Sequence, residues 1–262
     1  MCLGLVCGLG SCAQNQAGQA PETPPTPVQT GGSDAAPADA SQTALDPQQT
    51  GASVFVLHQV KDFDAFMKFF EEGASEREAM GVRGQLVSRL DDGRVIIHFI
   101  ADDAERIDAA LKSKRMDSYL NREGAPGASV VWLAHNELVS MPAVPPSGQT
   151  FSLLLKLPVV DFAAFKRAFS QRHAVFAEQG VIGEGLHSSA VDDTVAILHF
   201  VGTDRAKLEA LPGRPEFGEL LTIAGYKGTL EPMVAVDVAR SRGPAPSPSA
   251  APSPSAAPGT SP

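Results

Sequence analysis

An internal duplication constrains this sequence more than any other feature. One segment starts with VFVLHQVKDFDAFMKFF at Val54, and a second starts with LLLKLPVVDFAAFKRAF at Leu153. With a two-residue insertion in the second copy, the identical pairs include Asp62 and Asp161, Phe66 and Phe165, Phe70 and Phe169, Gly81 and Gly180, Gly84 and Gly183, His98 and His199, and Gly124 and Gly225. So many matches in the same order indicate two copies of one structural unit.

Each copy predicts the same order of elements. An apolar strand comes first, and an aspartate then caps a helix whose phenylalanines recur at three- and four-residue steps and form its buried stripe. A glycine ends that helix in a left-handed cap. The predicted elements are strands at 54–60 and 153–159, helices from Asp62 to Gly81 and from Asp161 to Gly180, strands at 84–90 and 183–190, third strands VIIHFI and AILHFV, helices at 103–112 and 204–211, short helical turns ending at Gly124 and Gly225, and last strands at 129–138 and 230–238. This βαββαβ order predicts two tandem ferredoxin-like units of the α+β class.

Helices cover one face of each predicted sheet, so the other apolar face needs a partner. The connection 140–150 is long enough for the two sheets to pack face to face as an intrachain pseudo-dimeric α/β barrel. The Val-x-Asp-Phe-x-x-Phe opening, the hairpin ending in His-Phe, and the PEFGELLTIAG segment ending at Gly225 resemble the dimeric α/β-barrel superfamily, in particular its antibiotic-biosynthesis-monooxygenase-like and cyclase-like members. That resemblance implies the barrel fold. It does not select among the oxygenases, haem-degrading, dehalogenating and isomerising enzymes and binding modules of the superfamily.

The flanking segments have compositions that cannot form a core. Residues 13–51 and 241–262 consist mainly of small and polar residues with proline, so we expect a disordered linker and a disordered Pro/Ser/Ala tail. The predicted organisation is therefore a signal segment at 1–12, the linker at 13–51, repeat 1 at 52–139, the connection at 140–150, repeat 2 at 151–240 and the tail from 241.

The first twelve residues, MCLGLVCGLGSC, resemble the lipobox of bacterial lipoproteins, with Leu9 three positions before Cys12 and small residues between them. The segment differs from a typical signal peptide because no Lys or Arg precedes its short apolar stretch. The resemblance implies cleavage before Cys12 and lipidation of its sulfur. Gln14 is not an acidic retention signal, so we expect a protein anchored in the outer membrane and facing the periplasm.

Several other functions are disfavoured. The net charge is −9 and no basic run occurs, which argues against a nucleic-acid partner. All three cysteines precede residue 13, so the repeats contain no thiolate site. No metal-binding spacing or phosphate loop is present, and we expect neither a metal nor a cofactor. Because the two repeats pair within one chain, we expect no need for an oligomer.

Alternation along the strands selects the candidate site residues. We expect the wholly apolar face of each strand to meet the helices, which leaves His98, His199 and His187 on the barrel-facing side. The same argument places Lys156 and Gln59 of the first strands there. These five residues either line a pocket between the sheets or fill a structural core, with Lys156, Gln59 or Ser88 as hydrogen-bond partners of the histidines. His135, Asn136 and Glu137 are interpreted as a solvated strand edge, and Trp132 as core packing.

Three functions remain compatible with these features. The first is an envelope lipoprotein that binds a small apolar ligand or a partner in or around the barrel. The second is a cofactor-independent monooxygenase or cyclase acting on an aromatic substrate, and the third is an interaction module whose barrel is filled. The volume of the barrel cavity distinguishes the third function from the others.

Overall fold

The computed structural model describes residues 51–113, 129–141 and 147–242. Repeat 1 contains β1 (Ala52–Gln59), α1 (Phe63–Glu72), α2 (Ala74–Ala79), β2 (Val82–Arg89), β3 (Arg94–Ala101), α3 (Ala104–Leu111) and β4 (Val130–Ser140). Repeat 2 contains β5 (Phe151–Pro158), α4 (Phe162–Ser170), α5 (His173–Glu178), β6 (Val181–Ser189), β7 (Val195–Gly202), α6 (Arg205–Ala210), a 3₁₀ turn (Leu211–Gly213), α7 (Pro215–Ala224) and β8 (Met233–Arg242). The predicted α+β class and the order of the strands are confirmed.

Some predictions lie wholly or largely outside the described residues. These are the signal segment at 1–12 with Cys12, the linker at 13–51 apart from Gly51, the turn ending at Gly124, and the tail beyond residue 242. Two predicted boundaries need correction, because β4 continues to Ser140 and β8 continues through residues 241 and 242. The last strand of each repeat is longer than predicted because it pairs with strands of both repeats.

The eight strands form one closed barrel in the order β1-β3-β2-β8-β5-β7-β6-β4. Each repeat contributes four adjacent strands, and antiparallel pairing of β2 with β8 and of β4 with β6 joins the repeats at two seams. The predicted pseudo-dimeric barrel is therefore confirmed. The sequence predicts only that the two sheets face each other. In the structure, hydrogen bonds also join their edges, so no barrel strand has an open edge.

The first helix of each repeat begins as predicted. Asp62 accepts a hydrogen bond from the backbone N–H of Ala65 at 3.0 Å, and Asp161 accepts one from Ala164 at 2.9 Å. The continuous helix predicted after each cap is wrong, since α1 ends before Gly73 and α4 is followed by a separate short helix, α5. The glycines that follow, Gly81 and Gly180, have φ values of 91° and 88°, a conformation that suits the absence of a Cβ.

The predicted short turn before the last strand of repeat 2 is a ten-residue helix, α7, which Gly225 ends with a φ of 71°. Its Phe217 and Leu220 are fully buried against the sheet. These contacts explain why a helix forms where the sequence analysis placed only a turn, because tertiary packing of an apolar face supplies most helical stability.

Three apolar clusters hold the barrel together. Two lie between the sheet and the helices, one in each repeat, and contain the predicted phenylalanine stripes. The third fills the lumen of the barrel with Phe55, Leu90, Ile96, Ala134, Leu154, Ile197 and Ala235. Burying each large apolar side chain contributes about 1.5–3 kcal/mol, so the lumen is a main source of the stability that joins the repeats. Among the described residues, no helix has the length and apolarity needed to cross a membrane.

Candidate functional site

Three histidines meet inside the lumen. His98 on β3, His199 on β7 and His187 on β6 are between 0% and 4% exposed. The ring centroid of His98 is 5.0 Å from that of His199 and 5.8 Å from that of His187. Phe55 stacks on His98 at 4.3 Å and presents its edge or face to the other two rings. The structure therefore brings three of the five predicted site residues into one cluster.

The first polar set consists of Ser53, His98, Asn136 and His187. Ser53 donates to Asn136 Oδ1 at 2.7 Å, and His98 Nε2 is 2.8 Å from Ser53 Oγ. His187 Nδ1 is 2.8 Å from the same Asn136 oxygen. Because Asn136 lies on β4 and His187 on β6, this set bridges one of the two seams between the repeats.

The second polar set consists of Ser152, His199, Asp237 and Ser88, the residues at the corresponding positions of the other half. Ser152 and Ser88 each donate to Asp237 Oδ1 at 2.7 Å, and His199 Nε2 is 3.1 Å from Ser152 Oγ. Thr150 donates to the other carboxylate oxygen at 2.8 Å. Since Ser88 lies on β2 and Asp237 on β8, this set bridges the second seam.

The donors and acceptors fix the histidine tautomers. Ser53 and Ser152 use their hydroxyl protons on Asn136 and Asp237, so each hydroxyl oxygen accepts from the Nε2–H of His98 or His199. Asn136 Oδ1 is an acceptor, so His187 donates from Nδ1. His187 Nε2 and His199 Nδ1 consequently carry no proton, and both are buried without a hydrogen-bond partner.

Burial keeps all three imidazoles neutral. Loss of solvation lowers the pKa of His187 to about 3 and that of His199 to about 4, since a charged ring would be costly in this environment. The pKa of His98 also lies well below its ordinary value, through burial first and then the neighbouring histidines and Arg240. Gly185 leaves the space that the His187 ring needs, because a Cβ there would lie 2.6 Å from His187 Nε2.

The other two predicted site residues lie elsewhere. Gln59 and Lys156 occupy barrel-facing positions of β1 and β5, but both side chains are exposed, whereas the histidines are buried. Lys156 Nζ is 5.5 Å from the centre of the Trp132 ring, which packs partly into the lumen cluster. The histidines bond to Ser53, Ser152 and Asn136 instead of to Lys156, Gln59 or Ser88.

The interpretation of His135–Glu137 as a solvated strand edge is wrong for Asn136 and Glu137, whereas His135 is exposed to solvent. The strand β4 pairs with β1 on one side and β6 on the other, so it is not an edge. Asn136 points into the lumen as the acceptor of the first polar set, and Glu137 accepts from Lys166 and Ser188. One signal could have revealed Asn136, since it aligns with Asp237 as a polar residue on an otherwise apolar face.

Among the residues that the structure describes, little free space remains in the lumen. A cavity of about 30 Å³ lies beside His98, His199 and Arg240, enough for about one or two water molecules. Within residues 51–113, 129–141 and 147–242, no group of three or more His, Cys, Asp or Glu side chains is placed to bind a metal ion. The polar centre is thus a packed, hydrogen-bonded interior.

A larger cavity lies outside the barrel, between α2 and the start of β2. This feature, the α2–β2 groove, has a volume of about 300 Å³. Its lining residues include Ala74, Arg77, Glu78, Arg83, Gln85 and Asp102. Arg77 is 5% exposed, donates from Nε to Gln85 Oε1 at 2.7 Å, and places its guanidinium 3.8 Å from the centre of the Phe70 ring. The sequence analysis did not identify this groove, because its residues come from a helix break and a strand bulge.

Repeat 2 has different chemistry at the corresponding position. Phe176 replaces Arg77 and packs 5.7 Å from Phe169, and Glu184 replaces Gln85. Glu184 is 1% exposed and lies 2.8 Å from His173 Nδ1. Burial raises the pKa of Glu184, while the hydrogen bond to His173 acts in the opposite direction. The two repeats share a fold but not the charge beneath their first helices.

Solved structures share the whole architecture. A protein from Fusobacterium nucleatum subsp. nucleatum described as a monooxygenase aligns with a TM-score of 0.57 and 12% identity, over 74% of this chain and 94% of that chain. A protein from Lactobacillus acidophilus NCFM that is also described as a monooxygenase gives a TM-score of 0.55 at 12% identity, covering 74% of this chain and 96% of that one. The fold is that of a dimeric α/β barrel.

An anthrone oxidase-like protein has the same barrel, with a TM-score of 0.54 and 14% identity over 77% of this chain and 97% of that chain. No protein-family model matches the sequence, and no curated protein matches it at the sequence level. The predicted resemblance to monooxygenase-like α/β barrels is therefore confirmed as a likeness of fold. At identities this low, the likeness leaves the activity open.

Proposed function

We propose that this chain is a lipid-anchored envelope protein that binds a small ligand in the α2–β2 groove, with the barrel as its rigid scaffold. The observation that carries the proposal is the α2–β2 groove, a cavity of about 300 Å³ with the buried Arg77 in its lining, against about 30 Å³ beside the histidines. A second surface cavity, of about 330 Å³ beside Asp91 and Arg205, is lined by an exposed ion pair instead. Pockets for small organic ligands start at about 300 Å³. The groove reaches that size, and the lumen does not.

The packing of the lumen supports the same choice. A ligand there would have to displace fully buried side chains such as Phe55 and Leu154, and it would separate histidines from their hydrogen-bond partners. Each buried donor or acceptor left unsatisfied would cost about 1–3 kcal/mol. The histidine cluster therefore serves stability, and the binding surface lies on the helix side of repeat 1.

Native mass spectrometry of the purified protein tests the binding proposal. We expect a retained small molecule in the wild type and its loss in Ala74→Phe, since Ala74 lines the groove and a phenyl ring would fill it. Ser75→Phe is the matched control, because Ser75 is the next residue of α2, is exposed and does not line the groove. Retention of the same ligand by Ala74→Phe would exclude the groove as its site.

The lipid anchor is proposed from the lipobox-like segment ending at Cys12. The start of β1 and the end of β8 lie at the same end of the barrel, an arrangement that suits a tethered module. Gly84 of β2 pairs with Arg242 at the end of β8 on one side. On its other side it pairs with Ile100 of β3, which itself pairs with the start of β1. We expect labelled palmitate to be incorporated into the wild type but not into Cys12→Ala. We also expect the protein to be a monomer and to be found in the outer-membrane fraction. Equal labelling of both proteins would contradict lipidation at Cys12.

The competing function is a cofactor-independent monooxygenase or cyclase acting on an aromatic substrate. Its support is the shared fold and three neutral imidazoles, which can accept protons. The lumen, however, offers no room for an aromatic substrate next to them. Turnover of a polyphenol that is lost in His98→Gln, while the variant stays folded, would favour the enzyme over the binding protein.

A further inference from the structure

Beneath α5, the second helix of repeat 2, lies a buried carboxylate that the binding function does not use. Glu184 of β6 is 1% exposed, and its Oε1 lies 2.8 Å from Nδ1 of His173, the first residue of α5. The other carboxylate oxygen, Oε2, is also buried and has no hydrogen-bond partner among the residues that the structure describes. An ionised carboxylate can accept about four hydrogen bonds, so Glu184 depends heavily on one neighbour.

Repeat 1 indicates that the fold does not require this pair. Ala74 and Gln85 occupy the positions that correspond to His173 and Glu184, and both line the α2–β2 groove. Neither of them can titrate. In repeat 2 the imidazole of His173 reaches instead from the helix to the strand beneath it. The pair therefore joins α5 to β6 through two titratable groups that repeat 1 lacks.

Within the described part of the chain, His173 is the only titratable group that shifts the pKa of Glu184. The residues paired with Glu184 on the neighbouring strands are the uncharged Phe200 of β7 and Ser140 of β4. On the helix side of β6, the other charged or titratable side chains of the elements packed against it form separate ion pairs or are exposed to solvent: Arg172 with Glu219, Lys166 with Glu137, and the exposed His135, Arg167 and Glu178.

One proton shared between His173 and Glu184 keeps the pair neutral overall, either as an ion pair or as a carboxylic acid with a neutral imidazole. Loss of that proton leaves a buried negative charge with one hydrogen bond. Burial, the largest influence, raises the pKa of Glu184 above its ordinary value of 4.5, and His173 opposes it. The stability that protonation contributes is therefore complete below pH 4.5 and is lost as the pH rises through the folded pKa, the opposite direction to the lumen histidines.

We propose that His173 and Glu184 form a proton-dependent latch, which holds the start of α5 on β6 while the two side chains share a proton and releases it when that proton is lost. The side chain of His173 is 35% exposed, so the pair can exchange its proton with solvent. A helix of six residues depends on tertiary packing for its stability, so its first turn loosens when the contact with β6 is lost. The barrel itself stays closed, because the latch lies outside the lumen and its two seams.

Amide hydrogen exchange of the full chain at pH 6.5 and pH 8.5 tests the latch, with protection factors corrected for the intrinsic effect of pH on exchange. The reporters are the N–H groups of Phe176 and Gln179, which donate to carbonyls of the first turns of α5. The matched N–H groups of Arg77 and Met80 in α2 are the control within the same molecule. We expect protection in α5 to fall about tenfold more than in α2, since the lumen histidines contribute equally at both pH values.

Two variants that copy repeat 1 assign the effect to the pair. Glu184→Gln cannot titrate, so we expect its α5 amides to keep the same protection at both pH values. His173→Ala should lower the protection of α5 already at pH 6.5 and leave α2 unchanged. An equal fall in α5 and α2 of the wild type, or the wild-type pH dependence in Glu184→Gln, would overturn the latch. The wild-type comparison decides the question by itself if a variant does not fold.

Discussion

The two polar sets of the lumen have the same geometry but different charges. In both, a serine on the first strand of the repeat links a histidine on the third strand to an acceptor on the last strand. The acceptor is the neutral Asn136 in the first set and Asp237 in the second, and the residue across the seam is His187 in one and Ser88 in the other. The geometry has been kept while the donors and charges have changed.

This difference shows what the fold requires at these positions. Each seam needs an acceptor on the last strand and a donor on the neighbouring repeat, and an amide with an imidazole meets that need as well as a carboxylate with a hydroxyl. Arg240, 3.7 Å from Asp237, balances the carboxylate that the second set introduces. The repeated histidines are thus explained by a shared role in joining the repeats.

The largest expected effect comes from acid. Folded pKa values of about 3 for His187 and about 4 for His199 lie below the unfolded value of about 6.5, so the unfolded chain binds more protons as the pH falls. The stability that the two neutral rings contribute is complete above pH 6.5. It is lost as the pH falls towards their folded pKa values of about 4 and about 3. When the pH falls from 7 to 5, we expect His187 and His199 each to lower the unfolding free energy by about 2 kcal/mol, and His98 to add to the loss.

Urea denaturation at pH 7, 6 and 5 measures this effect. His187→Asn keeps a donor for Asn136 but cannot titrate, so its stability should fall less steeply with pH than that of the wild type. A wild-type stability that does not change between pH 7 and 5 would show that the histidines are not buried as neutral rings.

Removing the acceptors should separate the two sets. Asp237→Ala removes the carboxylate that pairs with Arg240 and accepts from three hydroxyls, and we expect a loss of about 3–5 kcal/mol, typical of a broken buried charge pair. Asn136→Ala leaves two neutral donors unsatisfied and should cost about 1–3 kcal/mol. Chemical denaturation at pH 7 compares them, and equal losses would mean that charge does not distinguish the sets.

Phe55 and Leu154 occupy corresponding positions of β1 and β5. Phe55→Leu copies repeat 2 and removes the stack on His98, so we expect a loss of about 1–2 kcal/mol. Leu154→Phe overfills the lumen and should cost about 1–3 kcal/mol. If Leu154→Phe were neutral or stabilising, the lumen would contain more free space than the structure describes.

The smallest expected effect concerns an ion pair at the surface between the repeats. Arg205 Nη1 of α6 donates to Asp91 Oδ1, in the β2–β3 hairpin, at 3.0 Å. The hydrogen bonds from Arg205 lower the pKa of Asp91, but the pair is exposed to solvent. We expect Arg205→Ala to change the melting temperature by only a few degrees at low salt and by less at high salt. A large loss at both salt concentrations would mean that this pair contributes far more than other surface pairs.

Much of the fold could be predicted because it depends on repeated local signals. Asp62 and Asp161 cap helices, the phenylalanine stripes face the sheet, and strand alternation puts His98 and His199 in the lumen. The helix breaks at Gly73 and after Ser170 could not be predicted, because they depend on how each short second helix packs.

The site was harder to predict for a physical reason. Alternation predicts the face on which a residue lies but not how deeply it is buried, so it groups the exposed Gln59 and Lys156 with the buried histidines. The pairing of β2 with β8 and of β4 with β6 decides which side chains meet across the seams, and no local signal specifies that register. That register also decides the partners of Asn136, whereas Arg77 lies on a short helix after a helix break that the sequence does not signal.

The central claim is that the lumen histidines are structural and that the ligand binds outside the barrel. A long-range ¹H–¹⁵N NMR spectrum of the imidazole nitrogens at pH 6, recorded for the wild type as purified and for Ala74→Phe, tests it most directly. We predict neutral rings, with the proton on Nε2 of His98 and His199 and on Nδ1 of His187, and the same tautomers in both proteins. Protonated rings, or tautomers that change when Ala74→Phe removes the ligand, would contradict the account and place the ligand in the lumen.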